Sequence, residues 1–190
     1  MTAFWQLGYS ATSLEQLSDA TDMNRPSLYA AFGDKRALYL QTLDSYTERS
    51  KEQIAKALDP QLSLAEGLQR FYDTAIASYL PPGDPARGCY LIGTAVTEAL
   101  GDEEIRKRLA GALRAFEHML EARIRQARDN GEIEATADPQ ALAMIASAVL
   151  YTMAIRSRAG ESRALLRSVA TTAIDLICGR APARKPRRGQ

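Results

Sequence analysis

Apolar residues recur at helical spacing along nearly the whole chain, and alternation of Val or Ile with polar residues is scarce. No Asn-Gly or Asp-Gly pair links two β-like runs, whereas the good helix formers Ala and Leu are abundant. An all-α fold follows. Punctuation residues divide it into about nine helices, the first of them short.

The start and stop signals place those helices. Ala3–Leu7 reads as the end of a helix stopped by Gly8. Thr12 and Glu15 fit a capping box for a short helix to about Ala20. Thr21, Asp22 and Met23 make a tight connection, and Asn24 caps a helix that tolerates Pro26 in its first turn and reaches about Phe32. Gly33 breaks it, and Asp34 caps a long helix to about Leu58. Ser63 with Glu66 opens a helix to about Tyr79, and the Pro- and Gly-rich stretch from Leu80 to Gly88 must be a loop. Further helices are expected over Cys89–Leu100, from Asp102 to about Asn130, from Asp138-Pro139 to about Arg158, and from Glu161 or Ser162 to near Cys178. The last 12 residues carry five basic and no acidic side chains and read as a disordered tail.

Leu14, Leu17 and Ala20 can face Met23, Leu28 and Phe32, which folds the two short helices into a helix-turn-helix. Opposite Leu28 and Phe32 lie Pro26 and Ala30, flanked by Arg25, Ser27 and Tyr29. That outer face is small and polar, with one long cation near the helix N-terminus, and suits a DNA major groove. Such a helix pair also occurs as plain core packing. Lys35 opens the next helix, where a phosphate would meet its ammonium and free backbone N–H groups.

The run Gly8-Tyr9-x-x-Thr12-Ser13-Leu14-x-x-Leu17, followed by Met23-Asn24-Arg25-Pro26-Ser27-Leu28-Tyr29-x-x-Phe32-Gly33-Asp34-Lys35-x-x-Leu38, resembles the DNA-binding domain of the TetR/AcrR family of transcriptional regulators. The resemblance implies an all-α homodimer. An N-terminal helix-turn-helix reads a palindromic double-stranded DNA operator. A C-terminal domain binds a small-molecule effector and dimerises through its last two helices. The corresponding division is 1–46 for DNA binding, 47–178 for ligand binding and dimerisation, and 179–190 for the basic tail.

There are departures from the family pattern. The family's first helix is longer and follows a basic arm, so the first helix here is expected to be truncated. Asp22 stands where the turn usually has Gly, and Ala31 where an aromatic or His often helps hold phosphate. Residues 1–50 carry four basic and six acidic side chains, so the electrostatic argument for DNA is weaker than the motif.

The candidate DNA-contacting residues are Thr12, Ser13, Asn24, Arg25, Pro26, Ser27, Tyr29 and Lys35. Arg25 can pair with guanine O6 and N7, or else is a solvated surface cation. Tyr29 and Lys35 suit phosphate. Thr12 serves first as a helix cap.

Apolar faces in the second half supply candidate ligand contacts: Phe71, Tyr72 and Tyr79; Cys89, Ile92 and Val96; Phe116, His118 and Met119; and Tyr151. Each can equally be core, and a pocket is what the resemblance implies. His118, the single histidine, is open to acid, base, pH-switch or structural roles. Arg87 and the helix dipole could lower the pKa of Cys89 and make a redox sensor of it, or the thiol is buried and inert. The last two helices carry Leu142, Ile145, Val149 and Met153, then Leu166, Val169, Ala173 and Ile177, with small residues interleaved. They can pair with a symmetry mate or pack within one protomer.

Composition limits the other possibilities. Twenty-four Lys and Arg against 23 Asp and Glu exclude a uniformly basic nucleic-acid coat. Two distant cysteines and one histidine supply no metal-ligand spacing, and neither a metal nor a cofactor is expected. No paired catalytic residues appear, which leaves a small all-α enzyme as a remote alternative. Met1–Gly8 has neither a basic start nor a long apolar stretch, so no signal peptide is expected. The longest uncharged run, between Asp138 and Arg156, is short for a membrane span and is read as a helix buried within protein, giving a cytoplasmic chain without a membrane partner.

Overall fold

The computed structural model describes residues 1–179. Among them the order is α1(Thr2–Leu7), α2(Leu14–Thr21), α3(Arg25–Phe32), α4(Lys35–Ala57), α5(Leu64–Tyr79), α6(Tyr90–Glu98), α7(Glu103–Asp129), α8(Pro139–Arg158) and α9(Arg163–Ile177). No strand occurs among the described residues. The basic segment 180–190, expected as a disordered tail, lies outside them.

Side-chain caps begin seven of these helices. Asn24, Asp34, Ser63, Asp102, Asp138 and Ser162 each accept backbone N–H groups of the turn they precede, as their positions dictate. The α2 box differs from expectation. Ser13, not Thr12, caps the helix: Ser13 Oγ accepts from Gln16 N at 3.1 Å, and Gln16 Oε1 accepts from Ser13 N at 2.8 Å. The Thr12 side chain is instead buried and donates to the Gly8 carbonyl at 2.5 Å, closing the turn after α1. Asp22 adopts the left-handed conformation, φ 53°, that the tight turn between α2 and α3 demands. Cys89 precedes α6 as its N-cap, and α6 stops at Glu98, short of the expected Leu100, in a turn through Gly101.

The helix-turn-helix closes on Leu17 and Leu28, both buried. Ala20 does not join them but stays exposed. Helix α4 runs without a break from this head into the body, so the expected boundary at 46/47 falls inside one rigid element. In the body, α8 packs on α7, α9, α5 and α6. Its small residues Ala143, Ala146 and Ala154 are buried and let neighbouring helices approach closely. By length and apolar composition alone, α8 could cross a membrane. One face of it remains exposed in the protomer.

That face corrects the expected pairing stripe. Met153, Leu166, Ala173 and Ile177 lie in the protomer's own core, while Leu142, Val149 and Val169 are half-buried against it. The apolar side chains left outward are Met144, Ile145 and Ile155 on α8 with Leu165 and Leu176 on α9, each exposing between 37% and 59% of its surface. Exposed apolar side chains gathered on the two last helices are of the kind that marks an interface.

Candidate nucleic-acid interface and interior cavity

Helix α3 presents the face that its sequence implied. Leu28 turns inward, with Met23 and Phe32 half-buried beside it. Arg25, Pro26, Ser27, Tyr29, Ala30 and Ala31 stay exposed. Asn24 Oδ1 accepts from Ser27 N at 2.9 Å, which anchors the first turn. Arg25 has no ion-pair partner among the described residues, so its guanidinium is free for a ligand.

Lys35 is held differently from a free surface lysine. Its Nζ donates to the Ser10 carbonyl at 3.3 Å and sits 4.7 Å from the centroid of the Tyr9 ring. The cation is thereby fixed between the turn before α2 and the start of α4. Arg36 is neutralised: its Nε and Nη2 donate to Asp102 at 2.5 and 2.9 Å. That bidentate bond holds the Asp102 carboxyl down at about 2.

Several side chains lock head to body. Trp5 on α1 donates from Nε1 to the carbonyls of Arg87 and Gly88, at 3.1 and 3.2 Å. The Arg87 guanidinium lies 4.5 Å over the Trp5 ring. Ser10 donates to Glu98 at 2.7 Å, and Arg108 on α7 pairs with Asp44 on α4 at 3.1 Å. Gly88 is required in this loop: its φ is +62°, and a Cβ would stand 2.6 Å from the Ala154 carbonyl of α8.

Beneath that clasp lies a cavity of about 60 Å³, walled by α4, α5, α7, α8 and the start of α6. Phe71, Tyr79, Cys89, Phe116 and Tyr151 line it, as expected. Five other expected residues do not. Tyr72 is fully buried in the α5–α8 packing and donates to the Ala146 carbonyl at 3.0 Å. Ile92 is half-buried elsewhere, and Leu91 takes the lining position. Val96 is 47% exposed, and His118 is exposed on the outer face of α7. Met119 faces a separate groove beside Leu58 and Arg123. Each miss is an error of helical phase, since one residue turns a side chain by about 100°.

The wall that sequence reasoning missed is α4. Tyr46, Ser50, Gln53 and Ala57 follow one another at helical spacing and all line the cavity. That period was the available signal.

Tyr46 joins the cavity to the clasp. Its hydroxyl donates to Cys89 Sγ at 3.4 Å, and its ring packs edge-on to Trp5 with centroids 5.5 Å apart. Cys89 does not have the activated environment expected of a sensor. Burial pushes its thiol up, against weaker help from Tyr46 and the first amides of α6. Arg87 gives no assistance, because it stacks on Trp5 and donates Nε to the Ser78 carbonyl at 3.2 Å. Burial likewise raises Tyr46, Tyr79 and Tyr151, so all three hydroxyls stay protonated. Among the described residues no group of three or more His, Cys, Asp or Glu is placed to hold a metal ion.

Residues 1–42 match the bacterial regulatory proteins of the tetR family, and residues 65–173 match the tetracyclin repressor-like C-terminal domain. The chain is 31% identical over 176 residues to the HTH-type transcriptional repressor ComR of Escherichia coli (strain K12), a match spanning 93% of this chain and 84% of ComR. It is similar in structure to the TetR family transcriptional regulator CifR, solved as a cysteine mutant complexed with 26-base-pair double-strand operator DNA. There the TM-score is 0.81 at 28% identity, with 90% of each chain covered. With both domain matches in their expected order, this chain belongs to the tetR family of bacterial regulatory proteins.

Proposed function

We propose that the chain is a cytoplasmic transcriptional repressor without enzymatic activity, which holds a palindromic operator as a homodimer and releases it when a small molecule enters the interior cavity. The observation that carries the DNA-binding part is the α3 face: an anchored first turn, a small polar surface and an Arg25 without an ion-pair partner among the described residues. Arg25 and Ser27 are assigned to base edges, and Tyr29, Lys35 and the amide end of α2 around Ser13 to phosphates. Asn24 and Pro26 shape the helix start. Thr12 acts from the interior by setting the turn. The outward apolar side chains of α8 and α9 are assigned to the twofold partner, which supplies the second half-site reader. We place the division between DNA-binding and effector-binding parts within α4, the element shared by both.

Release follows from population shift. An effector that binds more tightly to the DNA-incompetent arrangement draws the dimer toward it. Tyr46 contacts both the cavity and Trp5, so a displaced Tyr46 bears directly on the clasp between head and body.

The test is an anisotropy titration of the dimer on the DNA upstream of its own gene and on a scrambled duplex, at two salt concentrations. Tight binding to the upstream DNA and weak, salt-sensitive binding to the scrambled duplex are expected. Equal affinity for both duplexes would overturn the assignment of a specific operator.

A further inference from the structure

A groove of about 280 Å³ opens between α1, α4, the end of α5 and the loop before α6. It shares a wall with the interior cavity, since Tyr46, Ser50, Gln53 and Ser78 line both. The chemistry on the two sides is opposite. No charged residue lines the cavity. The groove holds Arg49 from α4 and Arg87 from the loop, and no Asp or Glu lines it.

The protein neutralises neither cation. No acid pairs with Arg49 or Arg87 among the described residues. Glu48, beside Arg49 on α4, is taken by Lys51 at 3.0 Å. Arg49 donates Nε to the Ser45 carbonyl at 3.3 Å and Nη2 to the Met1 thioether at 3.0 Å, and a thioether is a weak acceptor. Arg87 uses only Nε, on the Ser78 carbonyl, and its guanidinium is held over the Trp5 ring. Arg49 is exposed and Arg87 half-buried, so the remaining donors of both forks can be reached from solvent. Two like charges that share a groove without an acid repel each other, and an anion between them removes that repulsion. The guanidinium fork matches carboxylate and phosphate oxygens in pairs, and the stack on Trp5 fixes one fork in advance.

We propose that this groove binds a small dianion, a phosphate monoester or a dicarboxylate, through the forks of Arg49 and Arg87. The site is separate from the interior cavity and does not depend on that cavity being the effector site. Gln53 supplies a further donor at the rim. The occupant bridges α4 to the loop that Trp5 holds, so it ties together the same elements that join head to body.

The experiment titrates the full-length protein by calorimetry at low ionic strength with inorganic phosphate, succinate and the uncharged succinamide. At least one of the two anions is expected to bind, and succinamide is not. Tighter phosphate assigns a phosphate ester, and tighter succinate a dicarboxylate. Arg49→Gln and Arg87→Gln should each weaken the bound anion about tenfold or more, because each removes charge-assisted hydrogen bonds. Arg87→Lys, which keeps the charge and loses the fork, should fall between wild type and Arg87→Gln. Arg25→Gln, outside the groove, should leave binding unchanged. Circular dichroism checks the fold, and Arg49→Gln carries the test alone if Arg87→Gln loses helix content, since Arg49 makes no contact with Trp5. Anion binding that is indifferent to Arg49→Gln overturns the proposal, as does succinamide binding as well as succinate. Failure of both anions to bind also overturns it; if Arg49→Gln then lowers operator affinity, the groove belongs to the DNA backbone instead.

Discussion

Replacing Ile145 with Asp should convert the dimer to folded monomers. Ile145 is 48% exposed in the protomer, among the outward apolar side chains of α8. Burying a whole isoleucine is worth ~1.5–3 kcal/mol, so the part still exposed contributes ~1 kcal/mol on each protomer and ~2 kcal/mol for the symmetric pair. Aspartate at that place must also shed its hydration against an apolar partner, at a cost of several kcal/mol more. A net loss of ~4 kcal/mol or more raises the dimer dissociation constant about a thousandfold. The assay is light scattering across a dilution series, with circular dichroism to verify that helix content is retained. Met153→Asp serves as the contrast, since Met153 is fully buried within the protomer and its replacement should unfold the chain. Operator affinity of Ile145→Asp should fall with the dimer, because each monomer carries one half-site reader. An Ile145→Asp protein that stays dimeric at native helicity would refute the assignment of this face.

Three other outcomes follow from the site. Arg25→Ala should cost about 1–3 kcal/mol per half-site on the operator and relax preference at one base position, whereas Lys35→Ala should weaken all duplexes alike and lower the salt slope by about one unit per protomer; salt titrations on operator and scrambled DNA separate the two. The Asp102 carboxyl is held at about 2, below its ordinary 3.8, by the Arg36 guanidinium. Its contribution is therefore fully present above about pH 4 and lost as pH falls through about 2; Asp102→Asn, which keeps an acceptor for the α7 cap, should flatten the urea midpoint over that range. In a Cys178→Ser background, a disulfide reagent should label Cys89 slowly in the native protein and rapidly in denaturant, because burial pushes the thiol up; rapid native labelling would restore the redox-sensor reading.

The sequence by itself determined where most helices begin. Asn24, Asp34, Ser63, Asp102 and Asp138 stand at the helix starts read for them, and Ser162 caps α9 where the reading allowed it or Glu161, because a cap is a contact between residues two or three positions apart and needs no distant partner. The head was legible for the same reason: Leu17 and Leu28 meet across a connection so short that the turn fixes their geometry. Even there, a choice between adjacent hydroxyls was undecidable locally. Thr12 and Ser13 each had a suitable residue three positions on, and the burial of Thr12 under the turn after α1 settled it.

Tertiary structure decided what each amphipathic face meets. Phe71 and Tyr72 are both buried, yet only Phe71 reaches the cavity, because the docking of α5 between α4 and α8 sends Tyr72 to the Ala146 carbonyl. Met153 and Ile155 are equally apolar and two residues apart, yet one is core and the other surface. The activation of Cys89 by Arg87 that the sequence allowed is absent, because that guanidinium stacks on Trp5 from the far end of the sequence and burial raises the thiol. Local hydrogen bonding and periodicity specify helices and their apolar stripes. The phase at which those stripes engage is set by packing against partners that are remote in sequence, and a cavity is what that packing leaves between them.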